Sequence, residues 1–319
     1  MTQRVPAFDR RKYAPPRAPD DPDFGESAGG NLTGALYFPD GGYVANPQLA
    51  ARNLQFAAEA RGATFRFNAT VTGVRVLDGR AAGVELAGGD VIAVPIVVNA
   101  AGPYSGIVNR MAGVEDGMAI RTRPLRQEVC RVDRPRDLGV DGLGPDGLGP
   151  KRDGLVVLDA DVGGYFRTEH GNALLLGGME PDCDPLVWLD DPDTLDRSPT
   201  EIWQAQVLRQ ALRLPALGIP GRARGVADLY DVSDDWIPIY DKSDLPGFYM
   251  AVGTSGNQFK NGPVAGQLMA GLIGACESGH DHDASPYQFA LAYTGLTLDT
   301  GAFSRRRALT EDSTMSVLG

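Results

Sequence analysis

The chain lacks the signatures of several common protein classes. Its three cysteines, Cys130, Cys183 and Cys276, stand far apart and form no CxxC pair. An odd count at this spacing makes no complete disulfide framework and fits a reducing, cytoplasmic setting. Histidine is as scarce, with only His170, His280 and His282, and HExxH is absent. No Gly-Lys pair occurs anywhere, which excludes a Walker A phosphate loop. The longest nearly apolar run, residues 91–101, is too short to cross a bilayer. Arg4, Arg10, Arg11 and Lys12 precede no apolar segment, so no signal peptide is read. Basic excess is missing too. Forty-one acidic against 30 basic residues give a net charge of −11, which disfavours nucleic acid and anionic membrane as partners.

What is present is ordinary globular material. Hydrophobic residues make up 43% and charged residues 22% of the 319, which excludes wholesale disorder. A chain of this length buries a sizeable core, as two domains or one large two-layer fold. The 41 glycines and 23 prolines point to many loops and tight turns.

Residues 1–35 are rich in Pro, Asp and Gly, without periodicity, and read as loop or as a tail held by neighbours. Asn46-Pro47 opens a helix that Gly62 closes, with Ala50, Leu54, Ala57 and Ala58 as a stripe suited to packing on a sheet. Short strands are predicted over 64–68, 70–76, 82–86 and 90–94, with Asp78-Gly79 and Gly88-Gly89 as hairpin turns. The continuous Ile96-Val97-Val98 reads as a parallel strand buried on both faces. It runs into Asn99-Ala100-Ala101-Gly102 and a helix from Pro103 to Met111. Residues 141–150 are one pentapeptide written twice, a low-complexity loop insertion. A hairpin is expected from 164–168 and 173–177, around residues 169–172. Ser198-Pro199-Thr200-Glu201 reads as a capping box before a helix bearing Trp203, Val207 and Ala211. Phe248–Val252 is a second buried strand, followed by a Gly-rich loop and a helix from Pro263 to about Ala275 striped with Val264, Leu268 and Leu272. The last forty residues look polar and irregular, with Arg305-Arg306-Arg307 as a solvated face.

The only GxGxxG string, residues 142–147, is a decoy. No strand precedes it, no helix follows, and Pro145 removes a backbone donor from the turn. Gly253-Thr254-Ser255-Gly256 lacks the spacing of a nucleophile elbow. His280-Asp281-His282-Asp283 reads either as a metal chelate or as a flexible acidic loop without a third fixed ligand. The informative features are two strand–loop–helix junctions, 96–102 and 248–266, because open α/β sheets bind ligands at the carboxyl ends of strands. Ala100-Ala101-Gly102 has no bulk to keep a cofactor off its backbone. The loop 253–262 aims N–H groups and a helix N-terminus at one point, and Lys260 adds a full charge there. That suits an acceptor that becomes negative, such as a reduced flavin; an ordinary turn with an exposed lysine is the other reading. Tyr165 and Arg167, two apart on a strand, face the same way. They fit either a carboxylate substrate or a structural ion pair.

Together these segments resemble the D-amino-acid oxidase/sarcosine oxidase (DAO-type) family of FAD-dependent oxidoreductases. The resemblance rests on Asp40-Gly41-Gly42-Tyr43-Val44 with Asn46-Pro47, on Val97 to Tyr104, on Tyr165 to Glu169, on Leu229-Tyr230-Asp231 through Asp235 to Ile239, and on Leu245 to Tyr249 with Gly253 to Lys260. It implies an α/β with α+β fold: an incomplete FAD/NAD(P)-binding, Rossmann-like domain from 36–118 and 225–275, plus an antiparallel-sheet substrate domain from 119–224. Residues 1–35 would be an irregular segment and 276–319 a C-terminal tail. The implied chemistry is hydride transfer from the C–N bond of an amino acid or N-methylated amine to flavin. By position, Val71, Ala100, Ala101, Gly102, Gly256, Asn257, Gln258, Phe259 and Lys260 would contact FAD. Lys260, Tyr165 and Arg167 would serve substrate and catalysis.

Three departures qualify this. The opening strand, GxGxxG turn, helix and ribose-binding acid of the family are missing, so the chain reads as the C-terminal two-thirds of such a protein with an incomplete FAD site. Asp228 stands near the position of the flavin-linking Cys of the sarcosine oxidase branch, so FAD is expected to be non-covalent. Tyr230 stands where the amino-acid oxidase branch has a substrate-binding Arg, which favours a sarcosine- or dimethylglycine-like substrate. The alternative is a truncated non-catalytic fragment, or a subunit whose nucleotide-binding part is supplied in trans.

Overall fold

The computed structural model describes residues 7–39, 41–136, 138, 155–169, 172–310 and 313–318. Asp40, the 141–150 repeat with its GxGxxG string, and His170-Gly171 at the hairpin turn lie outside the described residues. The strands are β1 (Val71–Leu77), β2 (Arg80–Leu86), β3 (Val91–Ala93), β4 (Val97–Asn99), β5 (Thr122–Asp133), β6 (Val156–Asp159), β7 (Gly164–Glu169), β8 (Ala173–Gly178), β9 (Gly225–Ser233), β10 (Ile239–Lys242), β11 (Phe248–Val252) and, as a short antiparallel pair in the C-terminal region expected to be irregular, β12 (Gln288–Ala290) and β13 (Thr297–Asp299). The helices are α1 (Pro47–Glu59), α2 (Ser105–Met111), α3 (Glu201–Arg213) and α4 (Gly262–Glu277). The chain divides into two compact units, one of residues 1–65, 127–186 and 196–228, the other of 66–126, 187–195 and 229–319. Residues 36–65 thus group with the first unit and 276–319 with the second.

The first unit is built on a five-stranded sheet of order β6-β7-β8-β5-β9, antiparallel from β6 through β5. Alternation decides its faces. On β7, Phe166 and Thr168 turn to the core, while Tyr165, Arg167 and Glu169 take the other face. The core packs Cys130, Val132, Phe166, Leu174 and Leu176 against Trp203 and Val207 of α3. Thr200, not Ser198, caps α3: its hydroxyl accepts from the Ile202 N–H at 3.3 Å, and its own N–H donates to Glu128. The buried Glu128 fixes Thr200, so tertiary contact moves the cap two residues past the Ser that local sequence favours. The N-terminal segment is held in place by Arg213, fully buried, which binds Asp159 at 2.6 Å, Asp161 at 2.7 Å and the Arg11 carbonyl at 3.1 Å.

α1 forms where its cap predicts, with Asn46 Oδ1 accepting from the Leu49 N–H at 2.9 Å. Its stripe meets no sheet. None of its residues is buried, and Leu54 is 57% exposed. The strand predicted over 64–68 is likewise absent. Phe65 and Phe67 are exposed, and Asn68 adopts φ +53°, which ends extended backbone there.

In the second unit β10, β11 and β4 form one sheet, with β11 antiparallel to β10 and parallel to β4. β1, β2 and β3 form a separate antiparallel meander. One cluster joins Val97, Ile239, Phe248, Met250 and Val252 to Ala81 of β2 and to Ala112, Val114 and Ile120. A second cluster packs Tyr240 and Tyr249 against Leu268, Met269 and Leu272 of α4.

The C-terminal residues correct the expectation of a solvated arginine face. Arg305 is fully buried, with Nη1 at 3.1 Å from Asp241 and 2.9 Å from Asp283, and Nη2 at 2.5 Å from Asp244. Arg307 clasps the buried Asp235 through two bonds of 2.6 and 2.7 Å. Only Arg306 keeps half of its side chain in solvent. Three like charges in a row look solvated only until each is given a carboxylate from elsewhere in the chain.

Candidate active site

The parallel pairing of β4 with β11 places Val97 beside Phe248 and Asn99 beside Met250. Both strands therefore end at the same edge, and the loops 100–104 and 253–261 leave it side by side. Asn99, 2% exposed, shapes the first loop. Its Nδ2 donates to the Ser105 carbonyl at 2.9 Å and to Asn109 Oδ1 at 2.8 Å, and its Oδ1 accepts from the Ala101 N–H at 3.1 Å. Gly102 has φ +57° and open space in front of it. No side chain there hinders a flat ligand from meeting the backbone.

The second loop turns through three left-handed residues, Gly253 at φ +71°, Ser255 at +48° and Gly256 at +74°. A Cβ on Gly256 would sit 2.3 Å from the Tyr230 ring, so both φ and contact require glycine. Ser255, fully buried, is held in a conformation costly for a non-glycine residue. Its N–H donates to the Asp231 carbonyl at 2.8 Å, and its Oγ accepts from the Ser233 N–H at 3.3 Å. Gln258 is fixed by Tyr240 and Asn261, at 3.3 and 2.9 Å. Phe259 is exposed, and a short 3₁₀ turn, Phe259–Asn261, leads into α4, whose first residues face solvent. Lys260 is exposed too, with Nζ donating to the Asn257 carbonyl at 2.7 Å. Its charge stands over the loop, close to the positive end of a 16-residue helix.

Behind this loop lies Asp231, 2% exposed, with Oδ2 accepting from the Gly253 N–H at 2.7 Å. Burial raises its carboxyl to about 6, against the pull of Gly253 N–H and the hydroxyls of Thr122 and Ser105.

Val71 begins β1, paired with Leu86 in the meander and half-buried. Tyr165 and Arg167 belong to the first unit and are described there by themselves. The Tyr165 ring lies over Gly177 of β8, where a Cβ would come within 2.3 Å of it. Arg167 pairs with Glu169 at 2.8 Å and stacks on Tyr43, its Cζ 4.5 Å from the ring centroid. Tyr43 is anchored in turn by donating to the Thr168 carbonyl at 2.7 Å. Asp228 forms an exposed pair with Arg197 at 2.8 Å.

Two of the side chains in residues 280–283 are tied into the fold. His282 is buried, its Nδ1 accepting from the Tyr287 N–H at 3.0 Å and its Nε2 lying 3.2 Å from Asp241. Asp283 is taken by Arg305 and Lys242. Among the described residues, no group of three or more His, Cys, Asp or Glu is placed to hold a metal ion, and no helix is long and apolar enough to cross a membrane.

Sequence reading missed Asp231, the Tyr43–Arg167 stack and the Glu169 pair. Glu169 was legible, since i and i+2 share a strand face. Tyr43 and Asp231 depend on partners far away in sequence and leave no local signal.

A parallel strand pair presenting two small-residue loops and a helix N-terminus in one unit, and an antiparallel sheet in the other, make a mixed α/β fold. The comparisons agree. The model of the FAD dependent oxidoreductase (DAO) family matches residues 8–272, and the chain belongs to this family. It is 30% identical over 253 residues to human mitochondrial sarcosine dehydrogenase, covering 76% of this chain and 25% of that protein. The chain thus spans about a quarter of the length of this relative. Its fold resembles L-proline dehydrogenase from P. horikoshii, with TM-score 0.54 and 22% identity over 70% of this chain and 54% of that one. It also resembles glycine oxidase from Bacillus cereus, with TM-score 0.53 and 19% identity over 72% and 55%.

Proposed function

We propose that the protein containing this chain oxidises a C–N bond of an amino acid, preferentially an N-methylated one of the sarcosine or dimethylglycine kind, with FAD as acceptor. The parallel β4–β11 pair, which delivers two ligand-facing loops to one edge, carries the reading. FAD, when bound, supplies the hydride acceptor. The open space before Gly102 and the glycine-only turn at Gly256 fit a flat ring system approached by backbone. Ala100, Ala101, Gly102, Gly256, Asn257, Gln258 and Phe259 would hold it, and Lys260 would balance negative charge developing on it. Val71 would add a backbone contact.

On the sheet of the first unit, Arg167 and Glu169 present one charge of each sign beside Tyr165 and Tyr43. A zwitterionic amino acid needs such a pair: Arg for its carboxylate, a carboxylate for its amine. The name of the human relative supports a sarcosine-type substrate, as does Tyr230. Among the described residues no strand–GxGxxG–helix occurs, so we propose that the pyrophosphate cradle is supplied from elsewhere, in the same polypeptide or in trans. The free thiols of Cys130, Cys183 and Cys276 support a reducing, cytoplasmic setting.

The test is anaerobic reduction of the flavin in the full-length protein, or in this chain combined with its nucleotide-binding part. Sarcosine or dimethylglycine should bleach the flavin absorbance faster than glycine or proline. A bound flavin that none of these reduces would overturn the substrate class.

A further inference from the structure

We propose that Tyr43 is a positioning residue for Arg167: its ring fixes the plane of the guanidinium that receives the substrate carboxylate. The proposal rests on the reading of Arg167 as the carboxylate-binding residue. Tyr43 comes to β7 from 125 residues before Thr168, the residue that separates Arg167 from Glu169. Its hydroxyl donates to the Thr168 carbonyl at 2.7 Å, while the Thr168 N–H donates to the Leu155 carbonyl at 3.2 Å. The ring is thus anchored on the strand that carries the arginine, and Arg167 Cζ lies 4.5 Å from its centroid.

The ion pair with Glu169 leaves a donor of the guanidinium unused. Nη1 lies 2.8 Å from Glu169 Oε2, yet it is buried and makes no hydrogen bond among the described residues. Glu169 therefore balances the charge of Arg167 without satisfying it, and 22% of the arginine side chain stays open. All five N–H donors of a guanidinium lie in its plane, so whatever fixes the plane fixes where a carboxylate meets them two at a time. A ring face does this, because it attracts the cation electrostatically and covers one side of it. An arginine left to rotate would have to be ordered by the substrate itself, at a cost in affinity. A tyrosine serving only to pack its own segment on the sheet would gain nothing from placing its ring on the charged end of Arg167.

The experiment is anaerobic flavin reduction in the full-length protein, in which the dependence of rate on sarcosine concentration separates affinity from limiting rate. Tyr43→Leu should weaken sarcosine binding about fivefold or more. Tyr43→Phe, which keeps the ring, should recover most of that loss. In an Arg167→Met background, Tyr43→Leu should add nothing, since the residue acts through Arg167. Full affinity in Tyr43→Leu, or an equal loss with and without Arg167, overturns the proposal. Unchanged sarcosine affinity in Arg167→Met is a separate failure: it removes Arg167 from the substrate site, and the role of Tyr43 with it. A second measurement needs neither flavin nor substrate. In the NMR spectrum of the 319-residue chain, the Arg167 Cδ protons should carry an upfield ring-current shift that Tyr43→Leu removes and Tyr43→Phe keeps; an unshifted wild-type signal overturns the positioning whatever the substrate. If Tyr43→Leu does not fold, Tyr43→Phe decides, because its ring-current shift and its sarcosine affinity must hold or fall together.

Discussion

Lys260 and Asp231 show how differently two charges can be placed within one loop system. Lys260 reaches solvent and keeps its ammonium on the Asn257 carbonyl. In the flavin-loaded full-length enzyme, Lys260→Met should cost turnover or substrate affinity at least about 2 kcal/mol, the scale of one charge-assisted contact in a water-excluded site. Steady-state kinetics near wild type would leave Lys260 as a cap for its own loop. Asp231 is opposite in sign and in setting. Its carboxyl is raised by burial from 3.8 to about 6, so the folded protein holds this proton more tightly than the unfolded chain. That contribution to stability is complete below the unfolded value of 3.8 and is lost as pH rises through about 6. At neutral pH the ionised group costs on the order of 3 kcal/mol. Asp231→Asn should therefore gain stability relative to wild type between pH 5 and pH 8 in urea unfolding. A difference between the two proteins that is equal at both pH values would sink this account.

Among the elements, the C-terminal strap and α1 stand at opposite ends of tertiary commitment. The strap is tied by Arg305 and Arg307 to carboxylates from β10 and the turns around it. Burial works against the charge on Asp283, but Arg305 and Lys242 outweigh it and hold the carboxyl well below its usual range. Asp235 is lowered in the same way, with Arg307 overcoming burial. Their stabilisation is present above the ordinary carboxylate range and is lost as pH falls through the lowered folded values. Limited proteolysis should accordingly release the C-terminal residues at acid pH before the sheets unfold; simultaneous loss of both would contradict the assignment. Arg305→Ala should cost about 3 kcal/mol or more, because it leaves Asp241 buried without its guanidinium partner. Arg306→Ala, half exposed, should cost under about 1 kcal/mol. Equal melting of the two variants would refute that ordering. α1 is the reverse case: its cap and period are fully legible in sequence, yet it buries no residue.

For the whole molecule, the expectation concerns flavin. We propose the two loops for the isoalloxazine, and among the described residues no strand–GxGxxG–helix is present for the pyrophosphate, so this chain alone should bind FAD weakly or not at all. Purification with stoichiometric flavin would refute this. Asp228 offers no thiol and is engaged with Arg197. Flavin held by the full-length protein through this part should therefore stay yellow in the supernatant after acid precipitation; colour in the pellet would point to an attachment elsewhere.

Local chemistry by itself determined α1, α3 and α4, the hairpins at Asp78-Gly79 and around 169–172, and the two strand–loop–helix junctions. Caps, φ-permissive glycines and hydrophobic period act within a few residues of one another, so no distant partner is needed to read them. The motif strings from Val97 to Tyr104 and from Gly253 to Lys260 carried the family for the same reason. Tertiary structure alone decided which side chain meets which. It chose Thr200 over Ser198 as a cap through Glu128, and it buried Arg305 by bringing Asp241, Asp244 and Asp283 around it. It also paired β4 with β11, bringing Val97 beside Phe248 from far along the chain, and set Asp231 behind the second loop on the Gly253 N–H. A charge or a polar group has no fixed preference for inside or outside; its partner decides, and the partner is supplied only when the chain has folded.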